Sequence, residues 1–220
     1  VALELSQVPA MMAHEVPADA GLALPQADLI GGTTILAALE LPPSSVMQSG
    51  RQIHAAVTSD SAGWTGAALY GEHDGNLIPA GHARRPRSIV GRLLTPLPAS
   101  PSLVLERGAA VEVTIPDDLW LTSTTADSLA GGSNRALIGD EVVQFAEAER
   151  IGPGRWRLRG LLRGRGGTET AAAAGHRAGC CFVLLDDTLV PIDMGRVTPA
   201  PRLQLAAIGL LDDEPVMAGL

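Results

Sequence analysis

The stretch of this chain from residue 136 to residue 169 limits the fold more than any other part. Two strand-length runs flank Gly152-Pro153-Gly154, and a short loop of glycine and proline between such runs predicts a β-hairpin. If Ile151 faces Arg155 across the turn, antiparallel pairing fixes the partners further along the strands. The predicted pairs are Glu149 with Arg157, Glu147 with Arg159, Phe145 with Leu161, and Val143 with Arg163.

The two faces of this predicted hairpin differ in polarity. Side chains alternate across a strand, so one face carries the two acid–base pairs nearest the turn. The other face is almost wholly apolar and receives Val142, Gln144, Ala146, Ala148, Trp156, Leu158, Gly160 and Leu162. A register shifted by one residue would bury the arginines, so the pattern fixes both the pairing and the orientation. We therefore predict that Trp156, Leu158 and Leu162 belong to the structural core.

The composition of the whole chain is typical of an all-β protein with many turns. Its 220 residues include 25 glycines and 16 prolines, which favour turns, and only 3% of the residues are aromatic. A core must therefore be built mainly from Leu, Val, Ile and Ala. We predict a mostly β fold with antiparallel sheets, sandwich or barrel-like, arranged as two small lobes with one or two short helices.

Apolar runs and turn signals predict the remaining elements. Strands are expected at residues 2–5, 33–41, 52–59, 67–71, 76–80, 88–94, 103–105, 111–115 and 180–185, with 188–192 as a partner of the last. The run 33–41 also fits a short helix, and Pro42 and Pro43 favour the strand. Short helices are expected at 126–130 and at 169–175, with Thr168 as the N-cap of the second, and an extended connector is expected at 95–102.

The predicted boundary between the two lobes is marked by basic residues around a proline, namely Arg84, Arg85, Pro86 and Arg87. We expect an N-terminal β lobe at 1–86 and a C-terminal β domain at 87–195, with 141–163 as its central hairpin. Residues 196–220 would form a tail or an edge segment. The chain opens at Val1 without a basic and apolar leader, so we expect a piece excised from a longer polypeptide.

The charge balance limits the partners. The net charge is -8, and the sequence pI is near 5.0. Nucleic acid and anionic lipid both need clustered positive charge, so neither is expected as a partner. Arginines do crowd the hairpin, at positions Arg150, Arg155, Arg157, Arg159, Arg163 and Arg165. Their simplest interpretation is a solvated sheet face, because Glu147 and Glu149 offset two of them. No apolar run approaches the roughly 18 residues that a membrane span needs.

The sequence offers no pattern for a catalytic, cofactor or metal site. None of its five histidines has the i, i+4 spacing of a metal-binding helix, and the glycine-rich loop 163–169 lacks the GK[ST] ending of a phosphate loop. Ser133 lacks the final glycine of a nucleophile elbow. Carboxylates in the doublets 117–118, 186–187 and 212–213 point apart in a strand and would seldom converge. Cys180 and Cys181 are adjacent, which predicts two free thiols.

Four segments of the chain resemble one family of tail proteins. Residues 136–169, ALIGDEVVQFAEAERIGPGRWRLRGLLRGRGGTE, followed by AGCCFVLLDD at 178–187, are similar to the C-terminal region of large "host specificity" tail proteins. These occur in alphaproteobacterial gene transfer agents and related siphophages. WTGAALYGEHDGNLIP at 64–79 and SIVGRLLTPLP at 88–98 resemble the run-up to that region. In the family, the full chain is a baseplate hub, or megatron, with a glycosidase-like barrel far upstream and a C-terminal part that binds tail fibres.

The resemblance implies a structural role at the tail tip of a virion that is assembled in the bacterial cytoplasm. This part of the hub would anchor or present tail fibres, and its partners would be tail fibre or other baseplate proteins. No catalytic residues and no cofactor come with the resemblance, because the glycosidase-like part is not in this chain. The candidate partner-binding residues are Arg163, Arg165, Trp64, Tyr70, His73 and Asp74.

Two other classes of function stay open from the residues alone. A carbohydrate-binding module for a host surface glycan would need exposed aromatic platforms, and the chain has 3 Trp, 1 Tyr and 2 Phe in all. A cell-wall hydrolase would need two carboxylates in a cleft, about 5–10 Å apart. Solvent exposure of Trp64, Trp120 and Trp156 separates fibre binding from glycan binding, because a glycan platform needs an exposed ring.

Overall fold

The computed structural model describes residues 31–42, 52–101, 105–193 and 203–220. Within these ranges the chain forms thirteen strands and two short helices. The strands are β1 Thr34–Leu41, β2 Gln52–Ser59, β3 Gly66–His73, β4 Asn76–Arg84, β5 Val90–Leu93, β6 Leu105–Thr114, β7 Arg135–Ile138, β8 Glu141–Gly152, β9 Arg155–Arg165, β10 Cys181–Leu184, β11 Val190–Pro191, β12 Gln204–Gly209 and β13 Val216–Gly219. The helices are α1 Ala126–Ala130 and α2 Glu169–Ala174. The predicted fold class, mostly β with antiparallel sheets and two short helices, is confirmed.

Six strands close into an antiparallel barrel in the order β10-β5-β6-β9-β8-β7. Closure removes the free sheet edges that would otherwise present unpaired backbone groups. The barrel interior is filled by side chains that are at most 2% exposed, among them Val111, Val113, Phe145, Trp156, Leu158, Leu161 and Phe182. Both phenylalanines of the chain therefore lie in the barrel core, where the scarce aromatic residues are concentrated.

The central hairpin is formed by β8 and β9, and its pairing is confirmed over most of its length. The pairs Glu149 with Arg157, Glu147 with Arg159 and Phe145 with Leu161 are all observed. The predicted pair of Val143 with Arg163 is wrong, because two residues of β9 stand against one of β8 at this point. At the turn, Gly152 pairs with Arg155, which leaves a two-residue loop instead of the predicted three. Gly154 in this loop has φ +59°, which glycine adopts without steric cost.

The inward-facing side of β9 changes at Gly160. Before it, Trp156 and Leu158 are buried, and after it Leu161 is fully buried while Leu162 is only half-buried. Gly160 has φ +63°, and a residue in this conformation interrupts the pleat that keeps alternate side chains on one face. Leu161, rather than the predicted Leu162, therefore completes the core.

Replacing Gly160 by alanine is expected to lower the free energy of unfolding by about 1–3 kcal/mol. The added carbon would lie 2.8 Å from the Ala146 Cβ, and the positive φ adds strain. Chemical denaturation measures the change. Gly108→Ala is the matched control, because Gly108 is exposed and an added carbon there meets nothing within 4 Å. Equal effects of the two substitutions would contradict the close packing of Gly160.

The other described strands form two sheets that are layered on the barrel. β1, β2 and β11 form the middle sheet, and β13, β12, β3 and β4 form the outer sheet. Ile53 and Val57 of β2 pack against the outer sheet, whereas Ala56, on the opposite face, packs against the barrel. Layers on both sides therefore cover the two faces of β2.

Several other predicted elements differ from the structure. Residues 188–192 are predicted to pair with β10, but the strand that forms there, β11, pairs with β2. The strand predicted at 111–115 is part of a longer strand, β6. Residues 203–220 contain β12 and β13, and β12 lies inside the outer sheet between β13 and β3.

Thr168 does not cap α2 with its side chain. Its hydroxyl donates to the Arg165 carbonyl at 2.8 Å and accepts from the Val142 N–H at 3.0 Å, so it ties β8 to the end of β9. The predicted free thiols of Cys180 and Cys181 are confirmed. The predicted strand at 2–5 lies outside the described residues. The division of the chain at residue 86 stays a prediction.

Candidate partner-binding site

The tip of the β8–β9 hairpin is fixed to the loop that follows β6. The Gly154 N–H donates to Asp117 Oδ1 at 2.8 Å, and the Ile115 N–H donates to the Gly154 carbonyl at 2.9 Å. The Arg150 guanidinium forms an ion pair with the same Asp117 carboxylate. Because one carboxylate holds both the turn and a side chain of β8, the tip and the loop form one rigid unit.

An exposed tryptophan, Trp120, lies on this unit. Trp120 is 57% exposed, although large apolar side chains are usually covered. The Arg150 guanidinium carbon lies 4.7 Å from the centre of the Trp120 ring, a cation–π contact. The Trp156 ring, which is 2% exposed, meets Trp120 edge to face with the ring centres 5.1 Å apart. We call Asp117, Trp120, Arg150 and Pro153 the tryptophan corner.

The tryptophan corner has the properties of a protein-binding hot spot. Tryptophan and arginine are the residues most enriched where truncation costs the most binding energy. Here the indole is held between a core side chain and an ion-paired arginine, so little conformational freedom is left to lose on binding. The corner can therefore present a large apolar group to a partner without reorganising.

A shallow depression of about 480 Å³ adjoins the corner and is lined by Arg85, Pro86, Arg87, Asp118 and Leu119. Arg87 in its lining is held rigidly. It is 6% exposed, donates a hydrogen bond to the Ser61 carbonyl at 2.7 Å and forms an ion pair with Asp118. The hydrogen bond from Arg87 holds the pKa of Asp118 below its usual value. The depression thus has a fixed carboxylate two residues before Trp120 in the chain.

The outer face of the hairpin carries a ladder of ion pairs across three strands. Arg157 Nη2 lies 2.9 Å from Oε1 of Glu112 in β6, and Arg157 Nη1 lies 3.6 Å from Oε2 of Glu149 in β8. Arg155 reaches Glu112 at 3.3 Å, and Arg159 reaches Glu149 at 3.8 Å. The hydrogen bond from Arg157 lowers the pKa of Glu112. The prediction of a solvated face with matched charges is confirmed for Arg155, Arg157 and Arg159, although Arg159 reaches Glu149 instead of the predicted Glu147, and it is wrong for the buried Arg163. Exposed pairs of this kind contribute little stability.

A buried ionic network holds the opposite end of the hairpin. Glu141 and Arg163 have fully buried side chains and form a two-pronged pair, with N–O distances of 2.7 and 2.8 Å. His176 Nε2 lies 2.8 Å from the second oxygen of Glu141, and the Gly164 N–H donates to the first at 2.8 Å. Arg163 also donates to the Pro98 carbonyl at 3.0 Å. The network therefore joins β8, β9, the 95–101 connector and the segment after α2.

This network predicts a loss of stability in acid. Burial by itself raises the pKa of Glu141, but hydrogen bonds from His176 and Arg163 outweigh it and the pKa is lowered. A lowered folded-state pKa gives stability that is complete above the unfolded value of about 4.3 and is lost as the pH falls through the folded value. The urea midpoint should therefore fall steeply below about pH 4. Glu141→Gln should flatten that fall, and an unchanged slope in this variant would contradict the assignment.

The structure places two of the predicted partner-binding residues in the interior. Arg163 is 1% exposed and Trp64 is 3% exposed, so neither side chain is available to a partner. Arg163 is held by Glu141, and the Trp64 Nε1–H donates to Thr34 Oγ1 at 3.0 Å. Their assignment as candidate partner-binding residues is therefore corrected, because both belong to the interior. Arg165 is half-buried and donates from Nε to Gln144 Oε1 at 3.1 Å.

The other candidates lie on the outer sheet, away from the barrel hairpin. Tyr70 is half-buried on β3, opposite Ala206 of β12. His73 ends β3 and Asp74 begins the turn to β4, with side chains 38% and 88% exposed and 3.5 Å apart. A role of these residues in partner binding stays a prediction.

Sequence reasoning missed Trp120 as an anchor. The tryptophan follows Pro116 in a polar loop, where no alternating pattern indicates which way a side chain points. The position of Trp120 in the sequence could have indicated its exposure. A tryptophan outside every predicted strand has no predicted place in the core. Within the described residues, no cluster of three or more His, Cys, Asp or Glu side chains has a geometry that would hold a metal ion. The same residues contain no helix long and apolar enough to cross a membrane.

A comparison with models of known protein families found a match for the barrel segment. Residues 88–183 match the family model described as "Rcc01698-like, C-terminal". Rcc01698 is a Rhodobacter protein related to gene transfer agents. The match covers somewhat less than half of the chain and includes strands β5 to β9 and the tryptophan corner. None of the curated proteins compared with the chain matches it. The resemblance stated from the sequence is thus confirmed in part, for this segment.

Proposed function

We propose that this chain is a structural part of a phage or gene-transfer-agent tail tip, a segment of the hub protein that anchors or presents tail fibres. The observation that carries the proposal is the exposed, rigidly held Trp120 on the barrel. The family match supports it, because residues 88–183 contain both the barrel and this corner. A tail fibre or another baseplate protein would be the partner, and the chain would be located at the virion tail tip.

Docking at this surface would depend on one side chain that becomes buried on binding and on the polar groups around it. The Trp120 indole would enter an apolar pocket of the fibre protein and lose its remaining exposed surface. Arg150, which is already paired with Asp117, would be covered as a neutral pair, so its burial costs less than that of an isolated charge. Affinity would then come from the indole, and orientation from the ion pair beside it.

The proposal is tested by co-expressing the chain with each tail-fibre and baseplate protein from the same gene cluster and measuring co-elution and affinity. Trp120→Ala should weaken binding by at least about 30-fold, which is the effect of a hot-spot residue. Arg159→Ala is the matched control, because Arg159 lies on the hairpin that carries Arg150 but belongs to the exposed ladder of ion pairs. We expect the control to change the affinity by less than about threefold.

Two results would overturn the proposal. One is the failure of every neighbouring structural protein to co-elute with the folded chain. The other is a partner whose affinity is the same for the Trp120→Ala variant, which would show that docking takes place elsewhere.

A second candidate function is the binding of a host surface glycan at the same corner. One observation favours it, since Trp120 is an exposed aromatic ring with the carboxylates of Asp117 and Asp118 close by in sequence, 64% and 40% exposed. Against it, Trp64 and Trp156 are buried, so a single tryptophan would form the whole platform. Binding of purified host polysaccharide that Trp120→Ala abolishes, together with no fibre partner, would favour the glycan.

A further inference from the structure

Two adjacent leucines occupy the tip of the turn between β12 and β13. Leu210 is 85% exposed and Leu211 is 60% exposed. Turn positions usually hold Gly, Pro, Asn, Asp or Ser, so two leucines with this much exposed surface are unusual, although the Leu211 side chain packs against Gly31. Exposed apolar groups of this kind mark interaction sites. We call Leu210 and Leu211 the leucine tip.

The leucine tip is held in place by a chain of hydrogen bonds into the core. The Gly209 N–H donates to Asp212 Oδ2 at 2.6 Å, and the Thr34 N–H donates to Asp212 Oδ1 at 2.9 Å. The buried Trp64 Nε1–H donates in turn to Thr34 Oγ1 at 3.0 Å. The tip is therefore presented in one conformation, and little ordering is required when it docks.

A depression of about 620 Å³ lies between β3, β4 and the end of β12, and Leu210 of the tip forms part of its wall. Ala68 and Ile208 contribute apolar surface to it, and the exposed Arg84 and Arg85 give it a basic rim. The tip itself is followed by two exposed acidic residues, Asp213 and Glu214. The leucine tip thus combines apolar and acidic groups, and the adjacent depression combines apolar and basic groups.

This arrangement is what a two-fold interface between identical chains requires, because the same patch must offer both halves of the contact. We propose that a second copy of this chain docks here, with each leucine tip seated in the other copy's depression. Asp213 and Glu214 of each copy would face Arg84 of the other. The acidic residues disfavour insertion into an anionic membrane, so a lipid surface is the less suitable occupant. The inference does not depend on the tail-tip function.

The first test is the mass of the purified chain by sedimentation equilibrium at about 100 µM, a concentration that populates micromolar complexes. We expect a dimer, and Leu210→Ser/Leu211→Ser should weaken association at least about tenfold. Leu94→Ser is the control, since Leu94 is 38% exposed on another part of the barrel domain and should leave the dimer intact. Circular dichroism checks that each variant is folded.

The second test uses charge exchange. Asp213→Arg/Glu214→Arg alone and Arg84→Glu alone should each give monomers, because like charges would face each other. Mixed together, the two variants should form a heterodimer, because each acidic group then meets a basic one. A wild-type chain that is monomeric at this concentration, or a mixture that stays monomeric, would overturn the proposal. So would binding of wild type, but not of the leucine variant, to anionic lipid vesicles.

Discussion

Replacing Glu141 by alanine is expected to lower the free energy of unfolding by about 3–5 kcal/mol, the largest effect predicted for a charged residue of this chain. Glu141 and Arg163 have fully buried side chains, so removing the carboxylate leaves a guanidinium inside the protein without its partner. His176 and the Gly164 N–H lose the same acceptor. Urea denaturation at pH 7 measures the change.

Glu147→Ala on the same strand is the control for this prediction. Glu147 is exposed, so its removal should change the stability by less than about 0.5 kcal/mol. A double variant, Glu141→Leu/Arg163→Met, should recover part of the loss, because it removes both buried charges together. If Glu141→Ala unfolds at the same urea concentration as Glu147→Ala, the buried network is not present in solution.

Replacing Trp156 by alanine is expected to lower the free energy of unfolding by about 3–5 kcal/mol. Trp156 is 2% exposed and packs in the barrel with Val113 and Leu158, so its loss leaves a cavity between the strands. Trp120→Ala removes the same side chain from the surface and should cost no more than about 1 kcal/mol, mainly the contact with Arg150. Denaturation of both variants in parallel compares a buried indole of the hairpin with an exposed indole of the loop that follows β6. Similar losses in the two would contradict the orientation of the hairpin.

The hairpin could be predicted from the sequence because its information is local. Glutamates and arginines alternate with apolar residues on both sides of a glycine–proline turn, and only one register keeps every arginine near the turn out of the core. The prediction ends at Gly160, where a left-handed residue shifts the inward side to Leu161. Local alternation carries no signal for such a shift, because glycine has no side chain to place.

The buried pair and the exposed corner could not be predicted for a different reason. Arg163 is buried because Glu141, His176 and the Pro98 carbonyl surround it, and these partners are distant in sequence. Trp120 is exposed because the barrel core is already filled by Trp156 and its neighbours. Both outcomes depend on long-range packing, as does the pairing of β11 with β2 instead of β10.

The most direct test of the docking account is the exposure of the three tryptophans in solution, measured by acrylamide quenching of their fluorescence. Trp64 and Trp156 are buried and Trp120 is 57% exposed, so wild type should show one accessible class of tryptophan. Trp120→Phe should abolish that class and leave only slowly quenched emission. If Trp120→Phe is quenched as readily as wild type, the exposed indole is not Trp120, and the proposed docking corner does not exist.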